Sequence, residues 1–197
     1  MANHSEVEVT RKSGDEPFEF NGSSLPISLL SFWQWYASDI VGNAMRGILA
    51  EYIVASSVGM SSGTRTEWDA FDIETSEGIK VEVKSGAYVQ SWEQKKHSAI
   101  QFSIRPTYGW DSESNSRSKE IIRQADVYVF CLLKHKEQSS INPLNLDQWV
   151  FYVVPTRTLN QSLGAQKTIS LNSLEKLNPK KVNYGGLRAS ITIAANK

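Results

Sequence analysis

The sequence predicts a mixed α/β (α+β) fold with one central mixed β-sheet flanked by helices. Three observations predict it: a long helical stretch comes first, a strand-rich middle holds two continuously apolar runs, and a helix–strand mixture closes the chain. A length of 197 residues fits one domain. The expected organisation is a loosely held acidic arm over residues 1–25, then a single domain over 26–197 with its core at about 40–135.

In the arm, Glu6, Glu8, Asp15, Glu16 and Glu19 outweigh Arg11 and Lys12, and apolar residues are sparse. A helical stretch from about Ile27 to Val58 follows, broken near Gly42. Its second half places Val41, Met45, Ile48, Leu49, Tyr52 and Ile53 at helical spacing, and Gly59 is a natural stop. A hairpin comes next, with strands Ala70–Thr75 and Ile79–Ser85 joined by Ser76, Glu77 and Gly78. Ala99–Ile104 reads as a third strand, Asp111–Ser118 as a solvated loop and Lys119–Gln124 as a short helix. The apolar runs Val127–Leu133 and Trp149–Val154 read as buried strands. A helix near Leu171–Leu177 and a late strand, Ser190–Ala194, complete the chain, which has no internal repeat.

Composition narrows the classes. Hydrophobic residues at 40% and charged residues at 21% mark an ordinary globular chain. Lys+Arg and Asp+Glu balance at 21 each, which excludes a broad basic coat for nucleic acid but not a local groove. No apolar run of about 18 residues exists, and Met1–Glu19 lacks a signal-peptide pattern, so no membrane partner is expected. The single cysteine, Cys131, lies in an apolar run and is expected to be a buried thiol, which fits a reducing cytoplasm. His4, His97 and His135 form no zinc spacing. Neither a Gly-x-Ser-x-Gly elbow nor a Walker-type phosphate loop is present.

The informative segment is the hairpin. Strand side chains alternate faces, so parity decides what each one meets. Of the odd positions Phe71, Ile73, Thr75, Ile79, Val81 and Val83, all but Thr75 are apolar, whereas Asp72, Glu74, Lys80, Glu82 and Lys84 are all charged. A solvated sheet face would give the same alternation. The pair Glu82-Val83-Lys84 with Asp72 across the hairpin points further. Converging carboxylates repel unless a cation neutralises them, and hard oxygen donors without a Cys/His cluster suit Mg²⁺ or Mn²⁺. A lysine on the same face could orient a water or stabilise charge on a phosphate.

In these residues the chain resembles the PD-(D/E)XK nuclease superfamily, with its restriction-endonuclease-like fold and αβββαβ core. Asp72 matches the family's Asp, Glu82 its acidic position and Lys84 its lysine; Phe71 stands where the motif has Pro. Asp69 is a rival for the first position. Many members add a glutamate on the preceding helix, and Glu51 supplies one, although a salt bridge to Arg46 or a boundary position would also explain it. The resemblance covers about Asn43 to Leu133. It implies catalytic residues Asp72, Glu82, Lys84 and Glu51, with Asp72, Glu82 and Glu51 holding Mg²⁺ or Mn²⁺. The implied activity is a metal-dependent nuclease, foremost a DNA endonuclease of restriction, phage-defence or repair type.

Downstream, Gln90, Trp92, Lys95 and Lys96 are candidates to grip a phosphate backbone or stack a base, against a polar surface loop as the plain alternative. Lys176, Lys180, Lys181 and Arg188 form a second basic run, for which a solvated face is the simpler reading. Nucleic acid, DNA above all, is the expected partner, with homodimerisation open. The rival functions are a catalytically inactive nuclease-fold module that binds nucleic acid or protein, and an interaction protein whose charged hairpin face is simply wet.

Overall fold

The computed structural model describes residues 7–65, 70–111 and 116–196. From the N-terminus the chain forms a hairpin, β1 (Pro17–Phe20) and β2 (Ser23–Ser28), then helices α1 (Leu29–Ala37) and α2 (Asn43–Ser57). Strands β3 (Ile73–Glu74), β4 (Lys80–Ala87), β5 (Gln101–Ser103), β6 (Thr107–Asp111), β7 (Ser116–Ile122), β8 (Val127–Leu133) and β9 (Trp149–Pro155) follow. The chain closes with α3 (Thr156–Leu163), β10 (Thr168–Ser170), α4 (Leu171–Lys176), β11 (Lys180–Val182) and α5 (Leu187–Ala195).

Five strands make the central sheet, in the order β11-β9-β8-β4-β3. It is mixed: β4 runs parallel to β8, and every other neighbouring pair is antiparallel. All seven residues of β8 are buried, because a strand with neighbours on both edges and layers on both faces has no wet side. Alternation then sorts its side chains. Val127, Val129, Cys131 and Leu133 join one core with Ile53 and Val54 of α2 and Leu187 and Ile191 of α5. Tyr128, Phe130 and Leu132 join a second core with Phe102, Leu159, Ile169 and Leu174. Cys131 is fully buried, as its apolar run predicts.

The predicted helical stretch divides where Gly42 breaks it. Ser28 and Ser31 cap α1 reciprocally, and Asp39 Oδ1 accepts the Gly42 N–H at 2.9 Å just before α2. Several local expectations differ from the structure. Residues 17–25 of the acidic arm, together with residues 26–28 beyond it, pair as a hairpin. The third strand, β5, leaves the central sheet and pairs with β10. Of the loop expected at Asp111–Ser118 and the helix expected at Lys119–Gln124, residues 116–122 form β7 instead, in a ribbon with β6, and residues 112–115 lie outside the described residues; with Ile121 and Ile122 both exposed, a helix would have no core to cover. The late strand Ser190–Ala194 is helical in α5. Its Leu187, Ile191 and Ala194 fall on one helical face and fill the first core, so burial overrides the β-branched composition.

Candidate active site at the edge of the central sheet

β3 is only two residues long, pairing Ile73 with Val81 and Glu74 with Lys80. Gly78, at φ +77°, makes the turn that returns the chain, a conformation that L side chains adopt only with strain. Thr75 is buried there, and its hydroxyl accepts the Ile79 N–H at 3.2 Å. Asp72 immediately precedes β3 and grips β4 twice. Its N–H donates to the Val81 carbonyl at 3.1 Å, and its carboxylate accepts the Val83 N–H at 2.7 Å. The side chain thus continues the ladder beyond the backbone of β3, and it brackets Glu82 from the open edge of β4.

Glu82 and Lys84 share the face of β4 that continues the second core. Parallel register sets Glu82 beside Tyr128, Lys84 beside Phe130 and Gly86 beside Leu132. Their side chains keep only 19% and 28% of their exposure, and Lys84 Nζ lies 2.5 Å from Glu82 Oε1. Burial, and next the charge of Glu82, push the Asp72 carboxyl up to about 6, against the opposing pull of the Val83 N–H and Lys84; the charge of Glu51 adds to the rise. The Tyr128 phenol is pushed up as well, first by burial and then by Glu82. Burial likewise holds the Cys131 thiol protonated and inert.

Glu51 projects from α2 into the cleft that Asp72 also lines. The cleft measures about 580 Å³, and Tyr52, Arg65, Phe71 and Glu74 complete much of its wall. The partner of Glu51 is Arg65, whose Nε lies 2.6 Å from Oε2, and 17% of the glutamate side chain is exposed. Arg46, the partner considered from the sequence, is occupied elsewhere. It is buried and donates to the Val41 carbonyl, Asn43, Ser85 and Gln90, tying α2 to the end of β4. Among the described residues, no group of three or more His, Cys, Asp or Glu side chains is gathered closely enough to hold a metal ion. Asp72 and Glu82 are neighbours; Glu51 shares the cleft but is held by Arg65.

The downstream candidates separate. Gln90 is buried, and its amide is taken up by Arg46, the Ala87 carbonyl and Ser98, so it braces the loop after β4. Trp92, Lys95 and Lys96 are exposed on that loop. The C-terminal basic run is partly engaged, Lys181 by Glu175 at 3.7 Å and Arg188 by Glu77 at 3.6 Å. Asp69 lies outside the described residues. Sequence reasoning missed Arg65 and Tyr128. Arg65 is 14 residues from its partner in a loop without periodicity, and Tyr128 sits in a run too uniformly apolar for parity to show its face.

Two neighbouring carboxylates, one half-buried and accepting a single N–H, make a donor set of hard oxygens whose mutual repulsion Lys84 offsets only in part. That chemistry fits Mg²⁺ or Mn²⁺, since Mg²⁺ is commonly held by one or two carboxylates together with water and substrate phosphate. A comparison with protein families matches residues 30–173, nearly three quarters of the chain, to the family model of bacteriophage T4 endonuclease IV. No curated protein sequence matches the chain.

Proposed function

The chain belongs to the bacteriophage T4 endonuclease IV family and is a nuclease; from that premise we propose that it is a Mg²⁺-dependent DNA endonuclease centred on Asp72, Glu82 and Lys84. The observation that carries this reading is the bracketing of Glu82 by Asp72 at the edge of β4, with Lys84 2.5 Å from Glu82 on the same face. In this reading Asp72 and Glu82 would hold the cation, with Glu51, which shares the cleft with Asp72, assisting. When bound, Mg²⁺ neutralises charge on the scissile phosphate. Lys84 holds the attacking water by its ammonium group and stabilises the charge that develops on the phosphoryl oxygens. The second core, Tyr128 and Phe130 in particular, keeps this face partly dry, which strengthens every interaction made there. Exposed Trp92, Lys95 and Lys96 extend the site toward the DNA backbone.

An assignment to the PD-(D/E)XK superfamily is part of the proposal. An Asp before a short strand, Glu-x-Lys on the antiparallel partner, a preceding helix bearing Glu51 and the parallel β8 alongside all support it. The departure of β5 from the central sheet sets this chain apart from the expected αβββαβ core.

The test combines Mn²⁺ titration with cleavage of circular, double-stranded, single-stranded and RNA substrates. Glu82→Ala should lose tight Mn²⁺ binding and cleavage together. Lys84→Ala should still bind Mn²⁺ yet cleave about a hundredfold more slowly, the usual scale for removing one preorganised charge. Cleavage by Lys84→Ala at the wild-type rate, with circular dichroism unchanged, would sink the mechanism.

A further inference from the structure

The N-terminal module of β1, β2 and α1 has no core of its own. None of its residues is buried in any of the three elements. A two-stranded hairpin and a nine-residue helix are each marginal alone in water. Yet the module carries six aromatic side chains, Phe18, Phe20, Phe32, Trp33, Trp35 and Tyr36, exposed by between 37% and 82%. It is also anchored. Glu16 and Gly14 carbonyls accept the N–H groups of Leu29 and Leu30, Trp33 closes over Gly14, and the Arg11 guanidinium donates to the carbonyls of Ser61 and Ser62. The module therefore stands in a defined place beside the loop that lines the cleft, presenting an apolar surface.

We propose that this module is the dimerisation surface of the protein, and that its occupant is the same module of a second copy. Area is the first argument. At roughly 200 Å² per aromatic side chain, the six rings offer on the order of 650 Å² per copy. Exposed Leu25, Ile27 and Leu30 bring this near the roughly 800 Å² that each partner buries in a standard interface. Charge is the second. Across residues 17–37 the only charged side chain is Glu19, with no lysine or arginine, so the surface has nothing to offer a phosphate backbone. An apolar patch is complementary to itself, as an interface with two-fold symmetry requires, and a chain of zero net charge opposes no second copy by repulsion. Shape is the third. Leu30, Phe32, Trp33, Trp35 and Tyr36 are spread around α1, so contact along one side would leave rings wet, whereas two modules clasping each other cover more than one side.

Analytical ultracentrifugation of the full chain between about 1 and 100 µM should give a species of twice the 22.1 kDa chain mass. The double variant Phe20→Ser/Trp35→Ser removes two of the most exposed rings, so its far-UV circular dichroism should be unchanged. Its dimer dissociation constant should weaken by at least about a hundredfold. In a second measurement, Trp35→Cys should be crosslinked to a dimer by a bismaleimide while wild type, whose single cysteine is buried, is not. A monomer at every concentration overturns the proposal, and so does a dimer that survives the double variant and leaves Trp35→Cys uncrosslinked. A monomer that binds an oligonucleotide or floats with neutral phosphatidylcholine vesicles through these same residues also overturns it, assigning the module to that occupant.

Discussion

β4 and β8 lie side by side in parallel register and share both faces of the sheet, yet they put opposite chemistry on one of them. Toward α2 and α5 they match, Val81 and Val83 continuing the layer of Val127 and Val129. On the other face β8 presents Tyr128 and Phe130, and the paired residues of β4 are Glu82 and Lys84. The difference shows how a polar site acquires a low-dielectric wall. The apolar layer of β8 desolvates the edge of β4 without covering it, so Asp72 and Glu82 repel each other more strongly than two surface carboxylates would. The short β3 completes the arrangement, because it leaves β4 open where Asp72 reaches in.

Three measurements would break or sharpen that contrast. The largest effect belongs to the dry strand: Phe130→Ala, at a fully buried position stacked against Tyr128, should destabilise the protein by about 3–5 kcal/mol in urea unfolding. A loss below about 1 kcal/mol would mean that the second core is not packed as described.

The next effect is the pH dependence of Asp72. Its folded carboxyl titrates near 6 rather than at the ordinary 3.8. The metal-free folded state therefore keeps a proton that the unfolded chain has already released. Stability should be greatest below pH 3.8 as far as this group is concerned, and it should fall by at most about 3 kcal/mol as pH rises through 6. Asp72→Asn should flatten that slope. Mn²⁺ binding should move oppositely, weakening as pH drops below 6 because the proposed ligand becomes protonated. A wild-type stability profile identical to that of Asp72→Asn would show that Asp72 is not desolvated.

The smallest expected change in stability comes from making β4 resemble β8. Glu82→Leu/Lys84→Leu replaces a partly buried ion pair with apolar side chains beside Tyr128 and Phe130, and it relieves Asp72 of its neighbouring charge. Stability should stay within about 1 kcal/mol of wild type or rise, while cleavage disappears. A loss of more than about 2 kcal/mol would show that the ion pair is structural, and would merge the two regions that the comparison separates.

Much of this was legible in the residues alone. The apolar runs at Val127–Leu133 and Trp149–Val154 determined the buried strands, because six or seven consecutive apolar residues can be accommodated only inside. Alternation from Phe71 to Lys84 determined that charge and core would part on the hairpin, and the spacing Asp72, Glu82, Lys84 marked the proposed site; each is a local, period-two signal that survives without neighbours. Tertiary structure alone decided that Asp72 would reach along the strand edge to the Val83 N–H, that Glu51 would meet Arg65 rather than Arg46, and that Gln90 would be sealed inside instead of facing DNA. It also decided that Ser190–Ala194 would coil against the sheet, and that β5 would seek β10 nearly seventy residues away. Those outcomes depend on partners remote in sequence, and long-range pairing is chosen by competition among buried surfaces and hydrogen-bond needs that no local pattern encodes.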